Sequence, residues 1–188
     1  MNDNKLLLLT RAALFCALTT VATLMIRIPI PGTGYVNPGD AIVLLSGFLL
    51  GPVYGAAAAG IGSGIADLVS GYVIYAPATT VIKAFCAFCA AALFRLLETH
   101  NNRTGAPIGK YIVPNMVFSG IISELTMTAG YFLYEGLVVL RGSGDLNVSF
   151  AGAAAGIPFN LLQGVCGIVL AGVLYPVLKR TGYGRLGV

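Results

Sequence analysis

Apolar runs of membrane-spanning length follow one another along almost the whole chain, and this constrains the fold more than any single motif. About 20 apolar residues cross the hydrocarbon layer as a helix, and inside that layer every backbone N–H and C=O must be satisfied within the protein. The chain has 188 residues, 57% of them hydrophobic and only 10% charged. Soluble domains carry roughly 25% charged residues, so the sequence describes an integral membrane protein. No polar stretch is long enough for a separate soluble domain, and one membrane domain over 1–188 is expected.

Proline, glycine and charge divide this sequence into six expected helices, about 5–26, 40–50, 53–70, 78–97, 111–140 and 150–178. The first could pass for a signal peptide, but its apolar run exceeds the usual ~7–15 residues and no small-residue cleavage site follows. A retained helix is expected. Ile28-Pro-Ile-Pro-Gly ends it, because proline disfavours helix in the residue before it, and an outer loop over roughly 28–39 follows. Helix 2 is cut short by Gly51-Pro52 and cannot span alone, so it should be tilted or shielded by neighbours. Pro77 suits the first turn of helix 4, and Pro158 should kink helix 6. The expected fold class is therefore an all-α bundle of six transmembrane helices with a short second helix.

The net charge of +4 does not mark a nucleic-acid binder, because the basic residues lie scattered in helix ends and loops. Six spans place Lys5, Arg11, Arg95, Arg103, Lys110, Lys179, Arg180 and Arg185 on one side or at its edge. Arg27 and Arg141 fall on the other, and Lys83 lies within a span. Basic residues favour the cytoplasm, so both termini are expected inside a cell membrane. Cys16, Cys86, Cys89 and Cys166 all fall in apolar helices, where cysteine packs as a small hydrophobe; Cys86 and Cys89 lack the βαβ setting of a redox pair. His100 is read as a solvated residue of the polar stretch His100–Lys110, and no metal or cofactor site is expected. No phosphate loop, zinc-protease helix or serine-nucleophile elbow is present.

The informative residues are the polar ones inside apolar segments. Asn37, Asp40, Asp67 and Lys83 sit at or just inside the edges of their spans, suggesting a polar pocket near one membrane face. Asp67 and Lys83 bracket the 71–77 turn, either as an ion pair pinning helices 3 and 4 or as ligand contacts. Glu124 falls about 21 Å from either end of helix 5. It shares one helical face with Met127, Thr128, Tyr131 and Glu135. An intramembrane carboxyl there lines a cavity or bonds to a neighbouring helix; Glu135, nearer the outer surface, is either interfacial or a ligand contact. Asn160 and Gln163 share a face just past Pro158, and their amides offer both donors and acceptors. Ala13 and Ala17, Gly60 and Gly64, and Gly152 and Gly156 form small-residue stripes that let helices approach closely. A helix 1 stripe facing outward would instead suit docking to another membrane subunit.

These segments together resemble the substrate-binding S component of an energy-coupling factor (ECF) vitamin transporter, of the riboflavin-type or hydroxymethylpyrimidine/pyridoxine-type branch. The residues that carry the resemblance are Tyr35-Val-Asn-Pro-Gly-Asp40, Leu50-Gly-Pro-Val-Tyr-Gly55, Gly62-Ser-Gly-Ile-Ala-Asp67, Tyr75-Ala-Pro-Ala78 with Lys83, Glu124 with Gly130-Tyr-Phe132, and Ile157-Pro-Phe-Asn160 with Gln163. The resemblance implies that the outer half of the bundle holds one vitamin under the loop between helices 1 and 2. It implies a membrane coupling subunit and two cytoplasmic ATPases as partners, and toppling of the whole component during transport. An A-x-x-x-A element on helix 1 docks to the coupling subunit in that family, and Ala13 and Ala17 match it. The expected site comprises Tyr35, Asn37, Asp40, Asp67, Lys83, Glu124, Tyr131, Asn160 and Gln163, with Tyr35 or Tyr131 stacking on a flat ring. Riboflavin, hydroxymethylpyrimidine and pyridoxine all remain open as the ligand, the smaller rings suiting the polar set slightly better. A small intramembrane enzyme using Glu124 and Glu135, or a purely structural subunit, are the rival readings.

Overall fold

A computed structural model of the chain describes residues 3–29, 35–105 and 110–180. The helices are α1 (Asp3–Met25), α2 (Gly39–Leu50), α3 (Pro52–Val69), α4 (Ala76–Arg103), α5 (Ile112–Tyr134), α6 (Leu146–Ala154) and α7 (Ile157–Arg180). Between α1 and α2 two short strands, β1 (Ile28–Pro29) and β2 (Tyr35–Val36), pair antiparallel with Ile28 opposite Val36. A π-helical turn (Glu135–Val139) and a 3-10 turn (Arg141–Ser143) join α5 to α6.

Asp3–Met25, Ala76–Arg103, Ile112–Val139 and Leu146–Arg180 are each long and apolar enough to cross a membrane. Their outer faces carry exposed Val, Leu, Ile and Phe, such as Val81, Phe85, Phe118, Leu125 and Val169. With α2 and α3 these four segments complete a six-segment membrane bundle. The 12-residue α2 has ten residues buried and packs against α1, α3, α4 and α7. At 1.5 Å per residue it is only about 18 Å long. Shielding by neighbours, expected from its length, is what the structure shows.

The α2–α3 turn passes through Gly51, whose φ of 83° lies in the left-handed region and whose α-hydrogen faces the Arg95 guanidinium of α4. A side chain there would collide with that guanidinium. Glycines on α3 then let two helices pack against it at backbone distance. A Cβ on Gly60 would lie 2.6 Å from the Thr80 carbonyl oxygen of α4, and one on Gly62 would lie 2.5 Å from the Cys16 carbonyl oxygen of α1. The Gly60 stripe is thus internal packing, whereas Ala13 and Ala17 are exposed on α1. One core cluster gathers Phe15, Leu44, Phe48, Phe94, Met116 and Tyr175, and a second gathers Val43, Ala59, Cys86, Ala87 and Met127.

Two expected boundaries move. Helix 4 continues through Arg103, about two turns past the expected end at Leu97, and takes in His100. The polar residues there mark exit from hydrocarbon, but nothing breaks the helix before Gly105 with its φ of 70°. The expected single, kinked helix over 150–178 is instead two helices parted at Ala155 and Gly156. Pro158 has no N–H to offer the Ala154 carbonyl, and Ala155 and Gly156 fall back on tight bonds to Gly152 and Ala153.

Gly62→Val should lower thermal stability in detergent by about 1–3 kcal/mol, the usual cost of overpacking. Gly142, with nothing within 4 Å of where a side chain would start, should accept alanine within about 0.5 kcal/mol. Equal melting temperatures for Gly62→Val and wild type would show that the α1–α3 contact is looser than this.

Candidate functional site

Polar residues of α2, α3, α4, α5, α7 and the strand β2 meet at one end of the bundle. The centre of this arrangement is the Lys83 ammonium. It forms an ion pair with Asp40 Oδ1 on α2, with only 5% and 1% of the two side chains exposed. Lys83 also donates to the Met127 sulfur at 2.8 Å and sits 5.6 Å from the centre of the Tyr131 ring. Gln163 Nε2 on α7 donates to Asp40 Oδ2 at 2.6 Å, while its Oε1 accepts from the backbone N–H of Asn37 at 2.7 Å. Four separate pieces of chain are tied together by one carboxylate, one ammonium and one amide.

The pairing of Asp67 with Lys83, one of the two readings drawn from their spacing, is therefore corrected. Lys83 pairs with Asp40, and Asp67 instead accepts from the Tyr35 hydroxyl at 2.7 Å. Asp40 wins because it opens the buried helix α2 beside α4, where an unpaired carboxylate would be costly. Tyr35 lies outside the spanning helices, in β2. Burial, and then the Asp67 carboxylate, push its phenol well above its usual pKa, so it stays a donor.

Above this network lies a cavity of about 500 Å³, its mouth included. Tyr35, Asn37, Asp67, Lys83, Tyr131, Asn160 and Gln163, all expected at the site, line it. Asp40 and Glu124 do not. Asp40 stands behind Lys83 and Gln163, and Glu124 lies against α7, where a Cβ on Gly164 would come within 2.7 Å of its own Cβ. Both Glu124 oxygens are buried with no hydrogen-bond partner among the described residues.

Glu135, read from the sequence as either interfacial or a ligand contact, also lines it, as do Thr23, Ser63, Tyr72, Tyr75 and Thr79, which were not expected at the site. Tyr131 donates to Thr79 Oγ1 at 3.1 Å. Tyr72 packs tilted against Tyr35 with ring centres 4.8 Å apart and meets Tyr75 edge-on at 6.1 Å, forming an aromatic wall at the mouth. Glu135, whose helical face the periodicity of helix 5 had already marked, is buried rather than interfacial, with 3% exposure. It starts the π-helical turn, a feature frequent at functional sites. Its Oε1 faces the Tyr75 hydroxyl at 3.5 Å, and its Oε2 has no partner among the described residues. Chemically, the cavity offers two carboxylates with acceptor capacity to spare, three side-chain amides, an ammonium and aromatic faces. Among the described residues no group of three His, Cys, Asp or Glu is placed to hold a metal.

The fold and site together define a helical membrane bundle with a polar, tyrosine-lined cavity at one end. The comparisons with known proteins make that specific. Two solved structures share the fold: the S component of a bacterial ECF transporter (TM-score 0.60, 22% identity, covering 94% of this chain and 98% of that one) and the biotin S component of an ECF-type ABC transporter (TM-score 0.56, 18% identity, 94% of each chain). An uncharacterized protein of Pyrococcus woesei is 35% identical over 162 residues, 86% of this chain and 94% of its own. The thiamine precursor transporter HmpT of Lactococcus lactis subsp. cremoris (strain MG1363) is 29% identical over 188 residues, 97% of this chain and 93% of its own. Residues 4–180 match the family described as ECF-type riboflavin transporter, S component, and the chain belongs to that family. It is a membrane-embedded, substrate-binding subunit of a vitamin or vitamin-precursor transporter rather than an enzyme, and S components work with a module of membrane and ATPase subunits.

Lys83→Met should destabilise the protein by about 3–5 kcal/mol, because it leaves Asp40 buried without its partner. Equilibrium unfolding in detergent measures this, and Lys83→Met combined with Asp40→Leu should recover part of the loss. A single variant as stable as wild type would show that the pair does not hold the bundle.

Proposed function

We propose that this protein captures a single small heteroaromatic ring of the hydroxymethylpyrimidine class and presents it to an ATP-driven coupling module. The observation that carries the reading is the cavity lining. Asp67 and the unpartnered Oε2 of Glu135 suit exocyclic amino or hydroxymethyl donors, and the Asn160 amide suits a ring nitrogen. Tyr35, Tyr72 and Tyr131 supply flat faces. Similarity to HmpT over nearly the whole chain supports a pyrimidine over the larger flavin. Asp40, behind the wall, positions Lys83 and Gln163 rather than touching the ring, and Glu124 lies outside the lining. Capture at nanomolar affinity requires about −12 kcal/mol, within reach of an enclosed site with a few placed polar groups.

The remaining parts of the reading follow from the same chain. The distribution of basic residues supports cytoplasmic termini and a cavity facing outward, with residues 1–188 as one membrane domain. The exposed pair Ala13 and Ala17 supports docking of α1 to a membrane coupling subunit, itself served by two cytoplasmic ATPases.

Isothermal titration of the detergent-purified protein with hydroxymethylpyrimidine, pyridoxine and riboflavin tests the ligand. The pyrimidine should bind with nanomolar Kd and riboflavin roughly 100-fold weaker, a gap of about 2.7 kcal/mol. Tightest binding by riboflavin or pyridoxine would overturn the pyrimidine assignment. Glu135→Gln should cost at least about tenfold in affinity, as expected for a hydrogen bond to a charged group. Ala13→Leu with Ala17→Leu should leave binding in detergent unchanged yet abolish uptake in cells that supply the coupling module. Undiminished uptake would remove α1 from the docking surface.

A further inference from the structure

A second cavity opens at the opposite end of the bundle, between the start of α5 and the end of α7. It measures about 560 Å³ with its mouth. Ile112, Val113, Tyr175 and Pro176 form apolar walls, and Lys179 and Arg180 stand at the rim. The fold makes this groove for local reasons. Pro176 sits inside α7 and has no N–H to return to the Gly172 carbonyl, while Gly172 has no side chain and nothing within 4 Å of where one would start. The α7 surface is therefore recessed along its last turns. Tyr175 is buried as the floor, and the Lys179 ammonium lies 5.6 Å over its ring, which holds the charge above the cavity.

The rim is cationic. Neither Lys179 nor Arg180 has an ion-pair partner among the described residues. Glu98 faces Tyr175 from α4 and accepts from the Asn115 amide at 2.9 Å, and its negative charge offsets part of the rim's charge. Lys110 adds a third cation at the same end of the bundle, lying 5.4 Å over the Tyr111 ring. Away from the rim the groove runs into exposed apolar surface at Val113, Val117 and Val173. Cations at the helix ends and an apolar track along the helices match an anionic head group with acyl chains, and basic pockets between membrane helices bind such lipids. A zwitterionic head group would set its own cation among these three.

We propose that the α5–α7 groove is a binding site for one phospholipid with an anionic phosphodiester head group. The lipid bonds Lys179 and Arg180 through its phosphate and lays an acyl chain along Val113 and Pro176. The site is independent of the vitamin cavity and of the ligand assigned to it.

Native mass spectrometry of the full chain, titrated with phosphatidylglycerol or with phosphatidylcholine of the same acyl chains, tests this. One phosphatidylglycerol should bind at least tenfold more tightly than phosphatidylcholine. Lys179→Gln with Arg180→Gln should erase that preference while leaving the melting temperature unchanged. Val113→Trp keeps both cations but fills the groove, and it should lose the bound lipid as well. Equal binding of the two lipids overturns the proposal, as does a preference that survives either variant. Full displacement of the lipid by millimolar inorganic phosphate would mark a free-anion site and also overturn it.

Discussion

The buried pair of Lys83 and Asp40 is the interaction on which the rest of the arrangement depends. An ammonium placed in a membrane helix has to be met by an opposite charge and by hydrogen-bond acceptors. Meeting it here fixes the position of α2, whose Asp40 is 1% exposed, and of α7, whose Gln163 shares that carboxylate. The same amide then holds Asn37, and so the loop end that enters α2. A purely apolar contact could join these helices equally well, since buried ion pairs are often no more stable than well-packed hydrophobic residues. The difference is that Lys83 also lines the cavity. The pair keeps a charge at the floor of a site that is otherwise tyrosine, amide and carboxylate.

Around that centre the bundle divides its labour by helix length. The long segments α1, α4, α5 and α6–α7 present apolar side chains outward. The short α2 sits within, and the glycine-rich α3 turns its small-residue face inward, where close approach counts for more than span. Inside a bilayer there is little hydrophobic drive to bring helices together, so packing and interhelical hydrogen bonds have to do it. Thr20 of α1 donating to the Gly62 carbonyl of α3 at 2.8 Å, and Ser123 of α5 donating to the Cys86 carbonyl of α4 at 3.1 Å, are bonds of this kind.

Much of this was legible in the residues. Five of the six expected helices appear within a few residues of their places at the start, because proline and glycine terminate helices for reasons local to the chain. The helix 4 end was misplaced because polarity reports where lipid stops, and a helix continues until something breaks it. Pro158 was seen, but whether a proline bends or severs a helix depends on the residues before it, here Ala155 and Gly156. In the cavity, lone polar residues in apolar runs stood out, so Lys83, Asn160 and Gln163 were found. Their partners were harder to read. Asp67 is nearer to Lys83 in sequence than Asp40 is, and sequence distance says little about which carboxylate a folded bundle delivers. Tyr72 and Tyr75 were missed because tyrosine at a membrane edge is ordinary, and only the fold turns them into a wall.

The enclosure of α2 also bears on how the chain is made. The Asp40 carboxylate meets Lys83 from 43 residues further along and Gln163 from 123 residues further along. A ribosome releases α2 long before either partner exists, and about 18 Å of helix led by a charge has no stable home in lipid at that stage. The segment gains its charge partner once α4 has been made, and its full set of hydrogen bonds only with α7. The network around Asp40 is thus closed by the last helix rather than the first.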